Sequence, residues 1–313
     1  MSGTPAEAAN PVGNVPTHLW KGDIARLDHS VIRVGNLAEA IDWYQRLLGL
    51  DVVEQSAGRA YLASRLTGTV VVGLEENADA GAGLEYVSYR AHDEASLARI
   101  GQRLADAGIP HERGSYPTRP GGLEAIRLTA PTGHVVELLH AKDAAKPKPT
   151  SGYQPGAFDV RTSHIQFRTT DVLETSRFMQ MLGFKVSTYV ELPDGQHLLQ
   201  FMRVNEYHHQ LAILTGRAGL HHVALELDTQ DFWKFCDNLA VQKIQAEYGP
   251  GRHNEGNLLF IYVRDPFGNR LEICGPMEVA GFDYPPSPAT EEPWFHMNQW
   301  GPQPPESWYH EWT

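Results

Sequence analysis

Runs in which apolar and polar residues alternate recur along the chain, and each predicts a strand with one buried face. Two clear examples are SHIQFR at residues 163–168 and HVALEL at 222–227. Other stretches repeat apolar residues every three or four positions, which predicts amphipathic helices over 36–49 and 171–183. Both stretches end in glycine, a common residue at helix C-caps. The pattern therefore predicts alternating strands and helices.

This order of elements occurs twice, at an offset of 135 residues. LDHSVIRV at residues 27–34 resembles TSHIQFRT at 162–169, and each carries a histidine in its third position. APTGHVVEL at 130–138 resembles DPFGNRLEI at 265–273 in the same way. Self-similarity at one offset indicates two copies of a structural unit.

Each half divides again into two strand–helix units, each followed by short strands. The pattern β-α-β-β-β is thus present four times, and it predicts an α+β fold of four modules paired into two domains. Each domain is expected to be a curled mixed sheet around a cavity. The predicted boundaries are an N-terminal extension (1–20), a first domain (21–143), a Pro-, Gly- and Lys-rich linker (144–158), a second domain (159–276) and an aromatic tail (277–313).

Composition narrows the class of protein. The chain has 313 residues, 42% of them hydrophobic, and a net charge of −12, which argues against a nucleic-acid partner. Its apolar runs fall short of the roughly 20 residues that a membrane span needs, and its start does not resemble a secretory signal. We therefore expect a cytoplasmic protein. The two cysteines are too few for a disulfide framework or a thiolate zinc site.

Candidate chemistry lies on three strands of the second half. Alternation places His164, His222 and Glu272 on faces opposite their apolar neighbours, one residue per strand. A closed sheet could gather the three side chains on one cavity. Two imidazoles and one carboxylate with open positions beside them are typical of non-haem Fe(II) sites that react with oxygen.

The first half serves as an internal control. His29 and Glu137 occupy the matching positions, but Tyr86 stands in the place of His222. We therefore interpret the first half as a metal-free copy with a structural role. A single strand histidine is usually structural, and only the joint placement of three ligands in the second half favours a metal site.

At this point the residues resemble a known family, the type I extradiol (catechol 2,3-) dioxygenases of the vicinal-oxygen-chelate superfamily. The resemblance covers about residues 22–285 and is carried by HHVALE, GPGRH and IYVRDPFGNRLEI. It implies a vicinal-oxygen-chelate, glyoxalase-like fold. It also implies Fe(II), with Mn(II) as the alternative, as the cofactor, bound by His164, His222 and Glu272.

The resemblance further implies three catalytic residues. Tyr262 lies ten residues before Glu272 and His253 lies nine before Tyr262, as in the family's substrate-binding pair, and His209 matches its acid–base histidine. The neighbouring His208 is the alternative for this last assignment. Further residues expected to bind substrate or support the ligands are His221, Asn254, Tyr248, Phe201 and Gln166. Other histidines, including His134, His197 and His310, are expected at the surface.

The resemblance also bears on substrate and assembly. The tail is similar to that of homoprotocatechuate-type enzymes, where it covers the active site, and no Lys or Arg follows Arg270. Those enzymes bind a carboxylate through arginines, whereas this chain has Tyr248 five residues before His253. We therefore predict an uncharged substrate, namely catechol, an alkyl- or chlorocatechol, or a biaryl diol. O₂ is the cosubstrate, a 2-hydroxymuconic-semialdehyde-type compound the product, and a homo-oligomer the family expectation.

Two other functions compete with this one. The first is another metalloenzyme of the superfamily, similar to glyoxalases or epimerases and using Ni, Zn or Co, which would not need the pair of Tyr262 and His253. The second is a small-molecule binding protein without a metal. That class predicts loss of the ligand set, which is the state of the first half and not of the second.

Overall fold

The computed structural model describes residues 22–114, 119–142, 158–281, 283–289 and 297–313. The predicted N-terminal extension and all but the last residue of the predicted linker lie outside these ranges. None of the described helices combines the length and hydrophobicity needed to cross a membrane.

The first half forms one eight-stranded mixed sheet in the order β2-β3-β4-β1-β5-β8-β7-β6. Its central pair, β1 and β5, is antiparallel, and each of these strands has a parallel partner on its other side. The strands are β1 (Ile24–Val34), β2 (Leu50–Ser56), β3 (Arg59–Ser64), β4 (Val70–Glu76), β5 (Gly83–Ala91), β6 (Glu112–Gly114), β7 (Gly122–Thr129) and β8 (Val135–Ala141).

The second half forms a ten-stranded sheet in the order β17-β10-β11-β12-β9-β13-β16-β15-β14-β18. Eight of these strands repeat the topology of the first sheet, and β17 and β18 come from the tail. The strands are β9 (Arg161–Thr169), β10 (Lys185–Glu191), β11 (His197–Arg203), β12 (Leu211–Thr215), β13 (Gly219–Glu226), β14 (Tyr248–His253), β15 (Leu259–Arg264), β16 (Arg270–Cys274), β17 (Ser287–Pro288) and β18 (Asn298–Trp300).

One helix follows the first strand of each module, and a fifth helix lies in the tail. They are α1 (Leu37–Leu48), α2 (Glu94–Asp106), α3 (Val172–Leu182), α4 (Thr229–Gln242) and α5 (Glu306–His310). Helices α1 to α4 all begin after an Asn or Asp whose side chain accepts a hydrogen bond from the backbone N–H three residues on. The predicted α+β fold of four βαβββ modules in two curled mixed sheets is confirmed.

The helices pack against one side of the sheets, and the candidate ligands lie on the other. The largest buried apolar cluster contains residues of both halves, from Leu47 on α1 to Phe235 on α4, and α1 contacts α4 while α2 contacts α3. Ile165 and Phe167 of β9 point into this cluster. Because side chains alternate along a strand, His164 and Gln166 then point to the opposite face.

The N-cap of α3 allows a test of how much side-chain capping stabilises these helices. The Asp171 carboxylate accepts from the Glu174 N–H at 2.8 Å, so Asp171→Ala should lower the free energy of unfolding by about 1 kcal/mol. Asp171→Asn, which keeps a capping oxygen, is the matched control and should change it little. Denaturant titration of the metal-free protein measures both, and equal losses in the two variants would contradict the cap.

Candidate metal centre

Three adjacent strands bring the predicted ligands together. Strand β13 lies between β9 and β16, with His222 opposite Gln166 and Ala224 opposite Glu272. His164 Nε2 and His222 Nε2 each lie 3.1 Å from the same oxygen of Glu272, Oε2, and 3.3 Å from each other. All three residues are at most 3% exposed. The sheet therefore presents two imidazole nitrogens and a carboxylate oxygen on one buried spot.

The chemistry of this cluster fits a divalent cation. Burial lowers the pKa of His222 to about 4, so its imidazole is neutral near pH 7 and can donate a lone pair. Burial alone would raise the pKa of Glu272, but His164 and His222 hold it well below its ordinary value, so Glu272 is a carboxylate. Its second oxygen, Oε1, is buried without a hydrogen-bond partner, which leaves acceptor capacity for an ion.

Tyr262 and His253 form a chain of hydrogen bonds that ends on the cluster. Strand β15 places Tyr262 directly opposite Glu272, and its hydroxyl donates to Glu272 Oε2 at 2.8 Å. His253 Nε2 lies 3.1 Å from the same hydroxyl. Burial and the neighbouring Glu272 raise the pKa of Tyr262 well above its ordinary value, so the phenol stays protonated and can donate.

His209 lies in the loop between β11 and β12, and its side chain faces the cluster. Its ring centroid lies 4.4 Å from that of His164 and 4.7 Å from that of Phe201. Burial, followed by His164 and His208, lowers the pKa of His209 well below its ordinary value, so it is neutral and able to accept a proton. His208 points away, with Nε2 at 2.9 Å from Thr188 Oγ1. Of the two neighbours, His209 is the one on the cavity.

The cavity beside the cluster has a volume of about 220 Å³. It is walled mainly by apolar side chains of β11 and β12, such as Leu199 and Leu214, and by residues of the tail. The tail contributes Met297, Trp308, Tyr309 and His310. The cluster of ligands lies at the polar end of this cavity, so a bound molecule would be largely removed from water.

The five further predicted residues have different placements. Gln166 and Phe201 line the cavity. His221 lies behind His222, with the two Nδ1 atoms 2.7 Å apart, and Tyr248 stacks on Tyr262 at 5.5 Å between ring centroids. Asn254 is exposed in the turn after β14 and is not among the lining residues. The structure therefore brings four of the five residues to the site. Gln166 and Phe201 line the cavity, whereas His221 and Tyr248 pack behind His222 and Tyr262.

Sequence reasoning missed three contacts. Asn298 Oδ1 on the tail strand β18 accepts from His253 Nδ1 at 2.9 Å, Arg168 forms part of the cavity wall, and the Trp308 carbonyl lies 2.7 Å from His221 Nε2. Two of these depend on the docking of the tail, which no periodicity indicates. The side of β9 on which Arg168 lies does follow from the sequence, because alternation puts it on the same face as His164 and Gln166.

Histidines expected at the surface are only partly there. His197 is 8% exposed and lies 3.1 Å from Gln200, while His134 stacks on Phe167 at 4.5 Å between ring centroids. The surface expectation is wrong for His197, because β11 lies between two neighbouring strands of the sheet, whereas His134 is half-buried in the β7–β8 turn. His310 is exposed but reaches the cavity rim.

The matching spot in the first half is closed by a guanidinium. Strand register places Tyr86 opposite Val31, just as His222 lies opposite Gln166, and His29 Nε2 lies 3.4 Å from the Tyr86 hydroxyl. Arg127 stands opposite Glu137 as Tyr262 stands opposite Glu272, and its guanidinium pairs with Glu137 at 2.8 Å. An internal cation thus balances the carboxylate.

Comparison with known proteins agrees with this geometry. A family model described as Glyoxalase/Bleomycin resistance protein/Dioxygenase superfamily matches residues 26–138 and 161–273. The chain is 28% identical over 269 residues to a metapyrocatechase of Pseudomonas sp. (strain CF600), covering 82% of this chain and 87% of that protein. It is 26% identical over 275 residues to a manganese-dependent 2,3-dihydroxybiphenyl 1,2-dioxygenase of Geobacillus genomosp. 3, covering 80% and 85%.

Among solved structures, the chain is similar to homoprotocatechuate 2,3-dioxygenase from Arthrobacter globiformis. The TM-score is 0.83 and the sequence identity 26%, and the match covers 97% of this chain and 95% of that chain. Similarity over nearly the whole length extends beyond the two matched domains and includes the tail.

The two halves offer a matched test of the metal centre. Glu272→Gln should abolish tight binding of Fe(II) or Mn(II), because the buried cluster loses its only carboxylate and with it most of the attraction for a divalent ion. Glu137→Gln, the same change at the equivalent position of the first half, should leave one metal ion per chain. Metal analysis after anaerobic loading and desalting measures both, and loss of metal in Glu137→Gln would contradict the assignment.

Proposed function

Because the chain belongs to the Glyoxalase/Bleomycin resistance protein/Dioxygenase superfamily, we propose that it is an extradiol dioxygenase that cleaves catechol-type rings with O₂. The observation that carries this proposal is the presence of six side chains around one cavity. Three are candidate ligands and three are placed to handle the oxygens and protons of a diol: His164, His222, Glu272, His209, His253 and Tyr262.

The metal would be held by His164, His222 and Glu272, and the donor set suits Fe(II) or Mn(II). When bound, such an ion supplies Lewis acidity toward the diol oxygens and the means of combining the ring with O₂. The relatives of this chain include a manganese-dependent enzyme, so either metal is compatible with the ligand set.

Tyr262 and His253 would orient the diol. In the structure the Tyr262 hydroxyl donates to Glu272 and lies within reach of His253 Nε2. A diol oxygen entering beside Glu272 offers Tyr262 a new acceptor, and the pair can then hold that oxygen in one place. Fixing the ring relative to the ligands lowers the entropic part of the barrier.

His209 would move the protons. It is neutral, it lies on the cavity wall facing His164, and its other side contacts Phe201. A neutral imidazole can accept a proton from the diol and return it to an oxygen during ring opening. The apolar walls exclude water, so that this proton is exchanged with the substrate rather than with solvent.

We propose that the substrate is an uncharged catechol, such as catechol itself, an alkyl- or chlorocatechol, or a biaryl diol. Leu199, Leu214 and Met297 are among the residues that line the cavity, and they favour an apolar ring substituent. Arg168, the arginine among the lining residues, donates from its two terminal nitrogens to the carbonyls of Thr215 and Tyr309 and lies 4.7 Å from the Trp312 ring.

A glyoxalase- or epimerase-like function could use the same metal ligands, but it would not require the three side chains that lie beside them. The hydrogen-bonded pair of Tyr262 and His253 and the neutral His209 are what ring cleavage adds to a metal site. The charge of −12 suits an enzyme that acts on small molecules in the cytoplasm and binds no nucleic acid. The homo-oligomer expected from the family stays a prediction for sedimentation analysis.

His209→Ala tests the proton-transfer step. The variant should keep its metal, because His209 is not a ligand, and should lose roughly 10²–10⁴-fold in kcat, the usual contribution of general acid–base catalysis. His197→Ala removes another buried histidine of the same sheet and should retain activity. O₂ uptake and metal content are measured together, and a fully active His209→Ala would refute the role.

A panel of diols tests the substrate class. With an apolar wall and an engaged Arg168, kcat/KM should be higher for catechol, 3-methylcatechol or 2,3-dihydroxybiphenyl than for homoprotocatechuate, which carries a carboxylate. The yellow ring-cleavage product reports turnover. A clear preference for homoprotocatechuate that disappears in Arg168→Met would show instead that Arg168 binds an anion.

A further inference from the structure

A line of hydrogen bonds runs from the C-terminal tail to the candidate metal ligand His222. The Trp308 carbonyl lies 2.7 Å from His221 Nε2, and His221 Nδ1 lies 2.7 Å from His222 Nδ1. His222 Nε2 is then the atom that faces Glu272. Both imidazoles are at most 2% exposed, so water does not take part in these bonds.

The direction of each bond follows from the carbonyl at its end. A carbonyl oxygen can only accept, so His221 must carry its proton on Nε2. A His222 that offers the lone pair of Nε2 to the cluster carries its proton on Nδ1. The 2.7 Å contact between the two Nδ1 atoms holds that one proton, so His221 Nδ1 is the acceptor of the bond that His222 Nδ1 donates.

The far end of this line is rigidly held. Trp308 is 1% exposed and packs edge-on against His221, with 4.7 Å between ring centroids. Arg270, which is itself buried, donates to the carbonyls of Ser307 and Glu311 at 2.9 Å on either side of Trp308. The short helix α5 is thus fixed to the sheet directly behind the site.

The first half supplies a natural contrast. The residue before Tyr86, at the position that corresponds to His221, is Glu85, which is 40% exposed and pairs with Arg33 at 3.7 Å. The half that lacks the His222 ligand thus also lacks the histidine behind it. A histidine is therefore found at this position in the half that has the His222 ligand, and not in the other half, which has the same fold.

We propose that His221 is a positioning residue of the metal centre and that the docked tail, through the Trp308 carbonyl, sets the tautomer and orientation of His222. This inference rests on the proposed metal site. It makes the tail part of the metal centre and not only the cover of the cavity. Partners that orient a metal-binding imidazole in this way contribute about 10–100-fold to metal affinity.

The wild-type protein gives the first test, without any substitution. Long-range ¹H–¹⁵N spectra of the metal-free, histidine-labelled enzyme distinguish protons on Nδ1 from protons on Nε2. We expect His221 to carry its proton on Nε2 and His222 on Nδ1. A proton on Nε2 of His222 would overturn the proposal, and this measurement stands even where a variant fails to fold.

Variants give the second test, read as the Mn²⁺ dissociation constant from chelator competition. His221→Phe should weaken Mn²⁺ binding about 10–100-fold, whereas His221→Gln, which can still accept from one neighbour and donate to the other, should lose less than about tenfold. His197→Phe, which removes a buried histidine outside the line, should not change the constant.

Wild-type affinity in His221→Phe, or an equal loss in His197→Phe, would overturn the proposal. Neither test involves turnover. Failure of the enzyme to cleave any diol would therefore contradict the proposed function alone, while failure of these measurements would contradict the positioning role alone.

Discussion

A carboxylate buried in the concave face of a sheet is the constraint on which both halves depend. Glu137 and Glu272 are at most 1% exposed, and a buried charge costs several kcal/mol unless it is paired. The first half meets this cost with Arg127 and the Ser88 hydroxyl. The second half places two imidazoles and the Tyr262 hydroxyl there instead, a donor set to which a bound cation could add the balancing charge.

The sheet topology makes this exchange possible without disturbing the fold. Strands β9, β13, β16 and β15 are neighbours, and their other face packs into one apolar cluster shared by both halves. Changes on the concave face therefore leave the core untouched. The first half can therefore lack one of the three ligands and still pack against the second half through the shared cluster.

Much of the fold and the centre of the site could be predicted from sequence, because both follow from periodicity. Alternation along each strand sets which side chains share a face, and the 135-residue repeat identifies His164 and Glu272 with their counterparts. The same repeat pairs Arg127 with Tyr262, so the arginine beside Glu137 could also have been predicted from the sequence. The direction of the Asn254 side chain could not be predicted, because Asn254 lies in a turn where no alternation fixes it.

The tail is the part that periodicity could not place, and it is also what makes the two halves unequal. Its strands β17 and β18 extend the second sheet, Asn298 contacts His253, and Trp308 contacts His221. His253 is linked to Glu272 through the Tyr262 hydroxyl, and His221 contacts His222 directly. The duplication supplies two similar sheets, and a segment outside the duplication contacts the candidate site of the second half, so the ligand set and the tail together distinguish the second half from the first.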